Sequence, residues 1–307
     1  TGDPAARADT PAGTAKDAGL DGSQALAGKL NAYVDCFNRI DGSARRSADD
    51  YTGWIADLDQ GPTGKERSVS TLGNLTTADL DHCKQGIEQA QAAQPALPAL
   101  DAAATDYLAD FAALVPRVSE AYTYYHQEDY KDDGFAKAKQ MHTPLLMAFG
   151  RFIKASDVFG AELEKENDAL TRLQLAEIEK QQGRTSAYYR LAVMGEAKSL
   201  AMQLDADDFE VAKATAAVSR FEALVAAADK DTAAESGKPL TWSVFQSGAG
   251  DFLKAAKERV RRIRDKTPYS HGEQMLMENG RSEWMVEGTR AKVVRAYNEL
   301  VADSNRL

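Results

Sequence analysis

A polar segment near the middle of the chain holds most of the residue types that could do chemistry. It contains two of the four histidines, and the acids between them are Glu128, Asp129, Asp132 and Asp133. Imidazole and carboxylate groups bind divalent cations, but these acids lack the spacing of a defined metal site. Acids that precede a helix also stabilise its N-terminus, so a hydrated loop that caps the next helix is the simpler interpretation. We predict neither a metal nor a cofactor.

Tyrosines gather around the same segment, at Tyr122, Tyr124, Tyr125 and Tyr130. They could line a pocket, but packing between helices is favoured because large aromatic side chains dominate helix contacts. If the segment does bind a ligand, we expect the binding residues to be Tyr125, His126, Asp129, Tyr130, Lys131, Asp132, Asp133 and His142.

The sequence lacks the motifs of common enzyme classes. It has no G-x-S-x-G elbow, no H-E-x-x-H pair and no C-x-x-C pair. Gly248 and Gly250 lie inside a helical pattern, without the preceding strand and following Gly-Lys-Ser/Thr that a phosphate-binding loop needs. We therefore predict no catalytic residues and no enzymatic activity.

The strongest run of like charge covers residues 254–266. Its basic residues recur every three or four positions, opposite an apolar stripe, which is typical of a solvated helix face. They are Lys254, Lys257, Arg261 and Arg264. The alternative is a patch for an anionic partner such as envelope lipid or polysaccharide.

Helices must position all of these residues, because apolar side chains recur at steps of three, four or seven almost everywhere after Ser23. The first stripe includes Leu26, Leu30, Tyr33, Phe37 and Ile40. The break at residues 60–64 and a cap at Thr77 predict an antiparallel hairpin of the first two helices, and Thr289 is predicted to cap the last helix. No segment alternates with period two. We predict an all-α fold, an elongated bundle of about six to eight long antiparallel helices without significant β-sheet.

Both cysteines fall on the two helices of the predicted hairpin. Cys36 and Cys83 lie on or beside stripes that should face each other, so a disulfide is reasonable. It would close a loop of roughly 48 residues and stabilise the fold by about 3 to 4 kcal/mol. The alternative is a pair of reduced core thiols. A disulfide indicates an extracytoplasmic location.

The first 23 residues are small and polar, with Leu20 as the one large apolar side chain. Such a segment cannot bury enough surface to order itself, so we predict a flexible spacer over 1–23 and a helical bundle domain over 24–307. A frayed terminus is the plainer alternative. Any export signal is expected to have been removed or to lie outside this sequence.

Overall charge and hydropathy limit the kinds of ligand and of membrane contact that we expect. The formal charge is −10, which gives no reason to expect a nucleic-acid ligand. No apolar run approaches the roughly 20 residues of a transmembrane helix. We therefore expect no helix that spans a membrane.

Three segments resemble the YiiG-like lipoproteins, a bacterial family of unknown function. Residues 124–146 read YYHQEDYKDDGFAKAKQMHTPLL and look like the family's central signature. The opening KLNAYV at 29–34, with Asn38, and the closing VVRAYNELV at 293–301 are similar to the family's two ends. The resemblance covers residues 24–307.

This resemblance implies a lipid-modified cysteine just upstream of Thr1 and a body in the periplasm of the cell envelope. The family offers no catalytic residues to transfer. We therefore expect a non-enzymatic lipoprotein that binds an unknown envelope protein or cell-wall component. The alternative is a periplasmic protein that binds a ligand or metal, or hydrolyses a substrate, through the loop at 124–142.

Overall fold

The computed structural model describes residues 14–278 and 282–307, and within these ranges it contains helices and no strand. The helices are α1 (Thr14–Thr52), α2 (Thr77–Ala92), α3 (Pro98–His126), α4 (Tyr130–Asp133), α5 (Ala136–Gln182), α6 (Ser186–Gln203), α7 (Val211–Asp231), α8 (Trp242–Arg264), α9 (His271–Glu278) and α10 (Arg290–Ser304), with a 3₁₀ helix at Glu283–Met285. The all-α prediction is confirmed.

The chain divides into two compact units, an N-terminal unit (Thr1–Leu170) and a C-terminal unit (Thr171–Leu307). Each has its own apolar core. Helix α5 leaves the first core at Leu170, and from there to its end at Gln182 it has no fully buried side chain. The range 24–307, for which the sequence predicts one bundle domain, thus contains two cores.

Within the N-terminal unit, α1 and α2 form the predicted antiparallel hairpin. Lys29 Nζ donates to the Ala93 carbonyl just beyond the end of α2 at 3.3 Å, whereas Arg39 Nη1 lies 3.6 Å from Asp79 Oδ1 near its start. The partner number falls as the α1 number rises, which requires opposite directions.

Helix α5 runs antiparallel to α1 as well. The rings of Tyr33 and Phe159 are 6.1 Å apart, and Tyr51 is hydrogen-bonded to His142. Aromatic side chains fill the space between the helices, because each removes a large apolar area from water. Those that are almost fully buried are Tyr33, Tyr51, Tyr107, Phe111, Tyr124, Phe152 and Phe159.

The C-terminal unit is built from α6, α7, α8 and α10, each antiparallel to the next. Tyr189 and Glu196 on α6 pair with Asp231 and Arg220 on α7, again in reversed order. The same reversal relates α7 to α8 and α8 to α10. Four helices therefore surround the second core.

The predicted spacer at 1–23 falls partly outside the described residues, which begin at 14. Helix α1 starts at Thr14, so residues 14–23 are its first turns. None of the helices in the described part of the chain is long and apolar enough to cross a membrane.

Candidate functional site

The candidate segment connects α3 to α5 through two sharp changes of direction. The first lies at Glu128 (φ 59°) and the second at Gly134 (φ 61°) and Phe135 (φ 66°), on either side of the short helix α4. Residues other than glycine are strained by roughly 1 to 3 kcal/mol at such backbone angles, so contacts with the surrounding structure must stabilise this conformation.

The Asp133 side chain accepts hydrogen bonds from both α3 and α5. Its Oδ1 accepts a hydrogen bond from the Tyr124 hydroxyl at 2.8 Å, and its Oδ2 accepts one from the backbone N–H of Lys137 at 3.0 Å. The hydrogen bond from Lys137 is the main reason that the pKa of Asp133 lies below its ordinary value, since it favours the ionised carboxylate. Asp133 thus caps the first turn of α5.

We expect Asp133→Ala to lower the melting temperature of the N-terminal unit by a few degrees at neutral pH, because the first turn of α5 loses its cap. A group with a lowered pKa stabilises the fold above its unfolded pKa of about 3.9 and loses that contribution as the pH falls through the folded value. The difference between variant and wild type should therefore shrink between pH 5 and pH 2 in thermal melts. Asp132→Ala is the matched control, because the Asp132 side chain is also exposed but makes no hydrogen bond within the described residues. An equal effect of both variants would contradict the cap.

His142 is buried and both ring nitrogens are engaged. Nε2 lies 2.7 Å from the carbonyl oxygen of Leu58, which can only accept, so Nε2 carries a proton. In the neutral ring Nδ1 then accepts from the Tyr51 hydroxyl at 2.8 Å. The imidazole therefore joins α5 to the end of α1 and to the loop that follows, and its nitrogens are not available to a ligand.

Aromatic rings enclose this histidine. Tyr51 contacts Trp54, Tyr125 and His142, with ring centroids 5.9 to 6.2 Å apart. Burial raises the pKa of Tyr51 to about 12 and is also the main cause of the raised pKa of Tyr125. Both phenols therefore stay protonated near neutral pH. Their contacts are those of packing, which is the interpretation favoured from sequence.

Gly61 allows the loop to close over His142. Its φ is 72°, and a Cβ at this position would lie 2.6 Å from the imidazole Cδ2. We expect Gly61→Ala to destabilise the N-terminal unit by about 2 to 4 kcal/mol, through backbone strain and the clash together. Gly134→Ala is the control, because its φ is also positive but a Cβ there meets nothing within 4 Å. Denaturant unfolding of both variants separates the two costs, and equal losses would argue against the close contact with His142.

The remaining predicted residues are spread over the surface of the segment. The His126 ring stacks on Tyr122 with centroids 5.1 Å apart, and Lys131 Nζ forms an ion pair with Glu128 Oε2 at 2.6 Å. Asp129 and Tyr130 are partly buried, whereas Asp132 is exposed. No three His, Cys, Asp or Glu side chains in the described part of the chain lie close enough together to hold a metal ion.

A surface groove of about 480 Å³ runs along the start of α5, and Asp133 is the one predicted binding residue that lines it. Its other polar walls include Arg117, Glu120 and Lys137, of which the last two are paired with each other at 3.0 Å. The structure therefore does not gather the predicted residues into one pocket.

Sequence reasoning missed three residues that complete this region, namely Tyr51, Leu58 and Gly61. Tyr51 continues the apolar stripe of α1, which indicated burial but not a partner. The Leu58 carbonyl and Gly61 act through the backbone, and no side-chain pattern marks a backbone acceptor 84 residues from its donor.

The basic face at 254–266 is largely neutralised by nearby acids. Lys257 pairs with Glu222 and Arg261 with Glu258, each at 2.5 Å. Arg264 is bonded to its neighbour Asp265 at 2.8 Å. These pairs fit the solvated helix face better than a patch for an anionic partner.

The two cysteines are joined. Cys36 and Cys83 form a disulfide with Cα atoms 5.0 Å apart, and both residues are buried. The predicted pairing is confirmed, and it clamps the α1–α2 hairpin.

The chain is similar to known proteins over almost its whole length. The family model described as "Protein of unknown function (DUF3829)" matches residues 24–306. The chain is 36% identical over 304 residues to the "Uncharacterized protein YiiG" of Escherichia coli (strain K12), an alignment that covers 99% of this chain and 85% of that protein. No solved structure matches. The chain therefore belongs to the DUF3829 family of proteins of unknown function.

Proposed function

We propose that this protein is a non-enzymatic lipoprotein of the bacterial cell envelope, facing the periplasm, whose helical body binds an envelope protein or a cell-wall component. The observation that carries the proposal is the buried Cys36–Cys83 disulfide. Structural disulfides form and persist in oxidising compartments and are rare in the cytosol. The family resemblance adds the expected lipid anchor upstream of Thr1.

The contacts of the 124–142 segment support the proposal that this segment has no catalytic role. Asp133 caps a helix, His142 joins three elements, and Tyr125 is buried among aromatic rings. A catalytic acid, base or nucleophile needs access to a substrate, which these buried or engaged groups lack. The alternative of a ligand or hydrolytic site in this loop is therefore less well supported.

The distribution of charge indicates what kind of partner the N-terminal unit favours. Residues 1–170 hold 27 of the 47 acidic and 16 of the 37 basic residues, whereas residues 171–307 hold the other 20 and 21. The charge of −11 in the first unit attracts basic surfaces and repels anionic ones. We propose that its partner presents a positively charged surface.

Localisation is tested by expressing the complete reading frame in a Gram-negative host with an alkyne-labelled fatty acid. We expect label in the protein, recovery with the membranes, and oxidised cysteines after rapid alkylation. Unlabelled protein with reduced thiols in the cytosol would contradict the proposal.

Partner binding is tested by crosslinking in intact cells and by capture from solubilised envelopes at about 50 and 300 mM salt. Captured proteins or cell-wall fragments should be lost at the higher salt, since exposed charge pairs are screened over roughly a Debye length. A variant with Asp129, Asp132 and Glu120 changed to Asn and Gln should retain less partner. Capture that is insensitive to salt and to these changes would exclude a charge-driven interface.

A further inference from the structure

A second pocket lies within the C-terminal unit, between α8, α10 and the segment that contains the 3₁₀ helix. Its volume is about 290 Å³, close to the lower end of typical small-ligand sites. Carboxylates and cations line it in equal number beside Trp284; they are Asp251, Glu287, Glu299, Lys254, Lys292 and Arg295. The lining has both charges and no net charge.

Arg295 stacks on an aromatic ring at this pocket. Its guanidinium carbon lies 3.5 Å from the centroid of the Trp284 ring, and its Nε donates to Glu299 Oε1 at 2.9 Å. Within the described residues neither Nη nitrogen has a hydrogen-bond partner. A guanidinium that is already ordered loses little further freedom when its remaining donors bind a carboxylate.

The other charged groups of the lining are only partly satisfied. Lys292 Nζ lies 3.7 Å from Glu287 Oε1, beyond hydrogen-bond distance, and Glu287 Oε2 is shielded from solvent without a partner in the described residues. Asp251 and Lys254 belong to no ion pair of the described chain. The Glu287 side chain is 43% exposed, so a ligand ammonium group can approach its carboxylate through Oε1, which Lys292 does not hydrogen-bond.

We propose that this pocket binds a small zwitterion of the amino-acid class, either a free amino acid or a dipeptide. The carboxylate end lies on Arg295, with Lys254 and Lys292 beside it, and the ammonium end lies on Glu287 and Asp251. A purely anionic ligand would leave the acids of the lining unpaired, and a purely cationic one would leave the basic groups unpaired. This site does not depend on the envelope location or on the partner of the N-terminal unit.

The test is isothermal titration calorimetry of the whole chain with L-alanine, L-alanyl-L-alanine and N-acetyl-L-alanyl-L-alanine amide. We expect at least one zwitterion to bind with Kd below about 5 mM and the blocked dipeptide not to bind. The better of the two zwitterions identifies the length that the pocket takes. Absence of binding by both, or equal binding by the blocked dipeptide, overturns the proposal.

Substitutions of residues that line the pocket test whether the ligand binds there. Arg295→Gln should weaken binding at least tenfold, and Asp251→Asn should do the same from the ammonium end. Arg306→Gln is the control, because Arg306 is also an exposed arginine of this unit paired at 2.9 Å with a nearby acid, yet does not line the pocket. Binding unchanged in Asp251→Asn, a substitution at an exposed position, overturns the assignment even if Arg295→Gln fails to fold.

Discussion

Removal of the Cys36–Cys83 disulfide is expected to lower the free energy of unfolding of the N-terminal unit by about 3 to 4 kcal/mol. The bond spans 47 positions in sequence, and closing a loop of that size removes many conformations from the unfolded chain. Both cysteines are 1% exposed, and the double variant Cys36→Ala/Cys83→Ala keeps small apolar groups at these positions. Because no polar group enters the core, the measured loss reports the missing crosslink.

Urea unfolding followed by circular dichroism measures this difference, with hydrogen exchange of peptides from each unit to assign the transition. The free energy of unfolding of the oxidised wild type should exceed that of the reduced wild type and that of the double variant. Reductant should leave the double variant unchanged, which controls for other effects of the reagent. A loss below about 1 kcal/mol would mean that the hairpin is held by packing alone.

The helical fold was predictable because the core-facing residues of each helix recur every three or four positions, as the period of an α-helix requires. Leu30, Tyr33 and Ile40 recur as one face of α1, and all three are buried. Helix ends were predictable to within about one residue where a side chain caps them. Thr289 accepts from the Lys292 N–H as expected, whereas Thr76, not Thr77, caps α2.

The division into two units was not predictable from the same pattern. Leu170 and Leu173 both fit the apolar stripe of α5, yet Leu170 is buried in the first core and Leu173 is 55% exposed. Periodicity shows which face of a helix is apolar, but it does not show where along the helix the neighbouring elements stop.

The candidate site was predictable in its caps but not in its cross-chain contacts. Acids before α5 indicated an N-terminal cap, and Asp133 provides it. His142 falls in register with Ala138, Leu145 and Phe149, so its burial was readable from the stripe of α5. Its two hydrogen-bond partners come from the end of α1 and the loop after it, which local sequence cannot specify.

Arg259→Met is expected to lower the free energy of unfolding of the C-terminal unit by about 2 to 4 kcal/mol. The side chain is almost fully buried, and its Nε donates to the Leu204 carbonyl at 2.6 Å. Nη2 donates to the Ala206 carbonyl at 3.0 Å and to Asp207 Oδ1 at 2.8 Å. The Asp207 side chain is 91% exposed, so water replaces that ion pair at little cost. The loss arises instead from the carbonyl oxygens of Leu204 and Gly288, the latter 3.4 Å from Nη1, because both stay buried but lose their donor.

Arg259→Lys separates charge from geometry, because a single ammonium group cannot reach all of the acceptors that the guanidinium fork serves. It should recover only part of the lost stability. Arg261→Met is the control, since that side chain is 52% exposed and pairs with Glu258 within the same helix, and it should change stability by less than about 0.5 kcal/mol. Thermal melts with hydrogen exchange should show faster opening of peptides from α6, α7 and α8. If Arg259→Met and Arg261→Met cost the same, the buried network contributes nothing beyond an ordinary surface arginine, and the α6–α7 turn must be held by apolar packing.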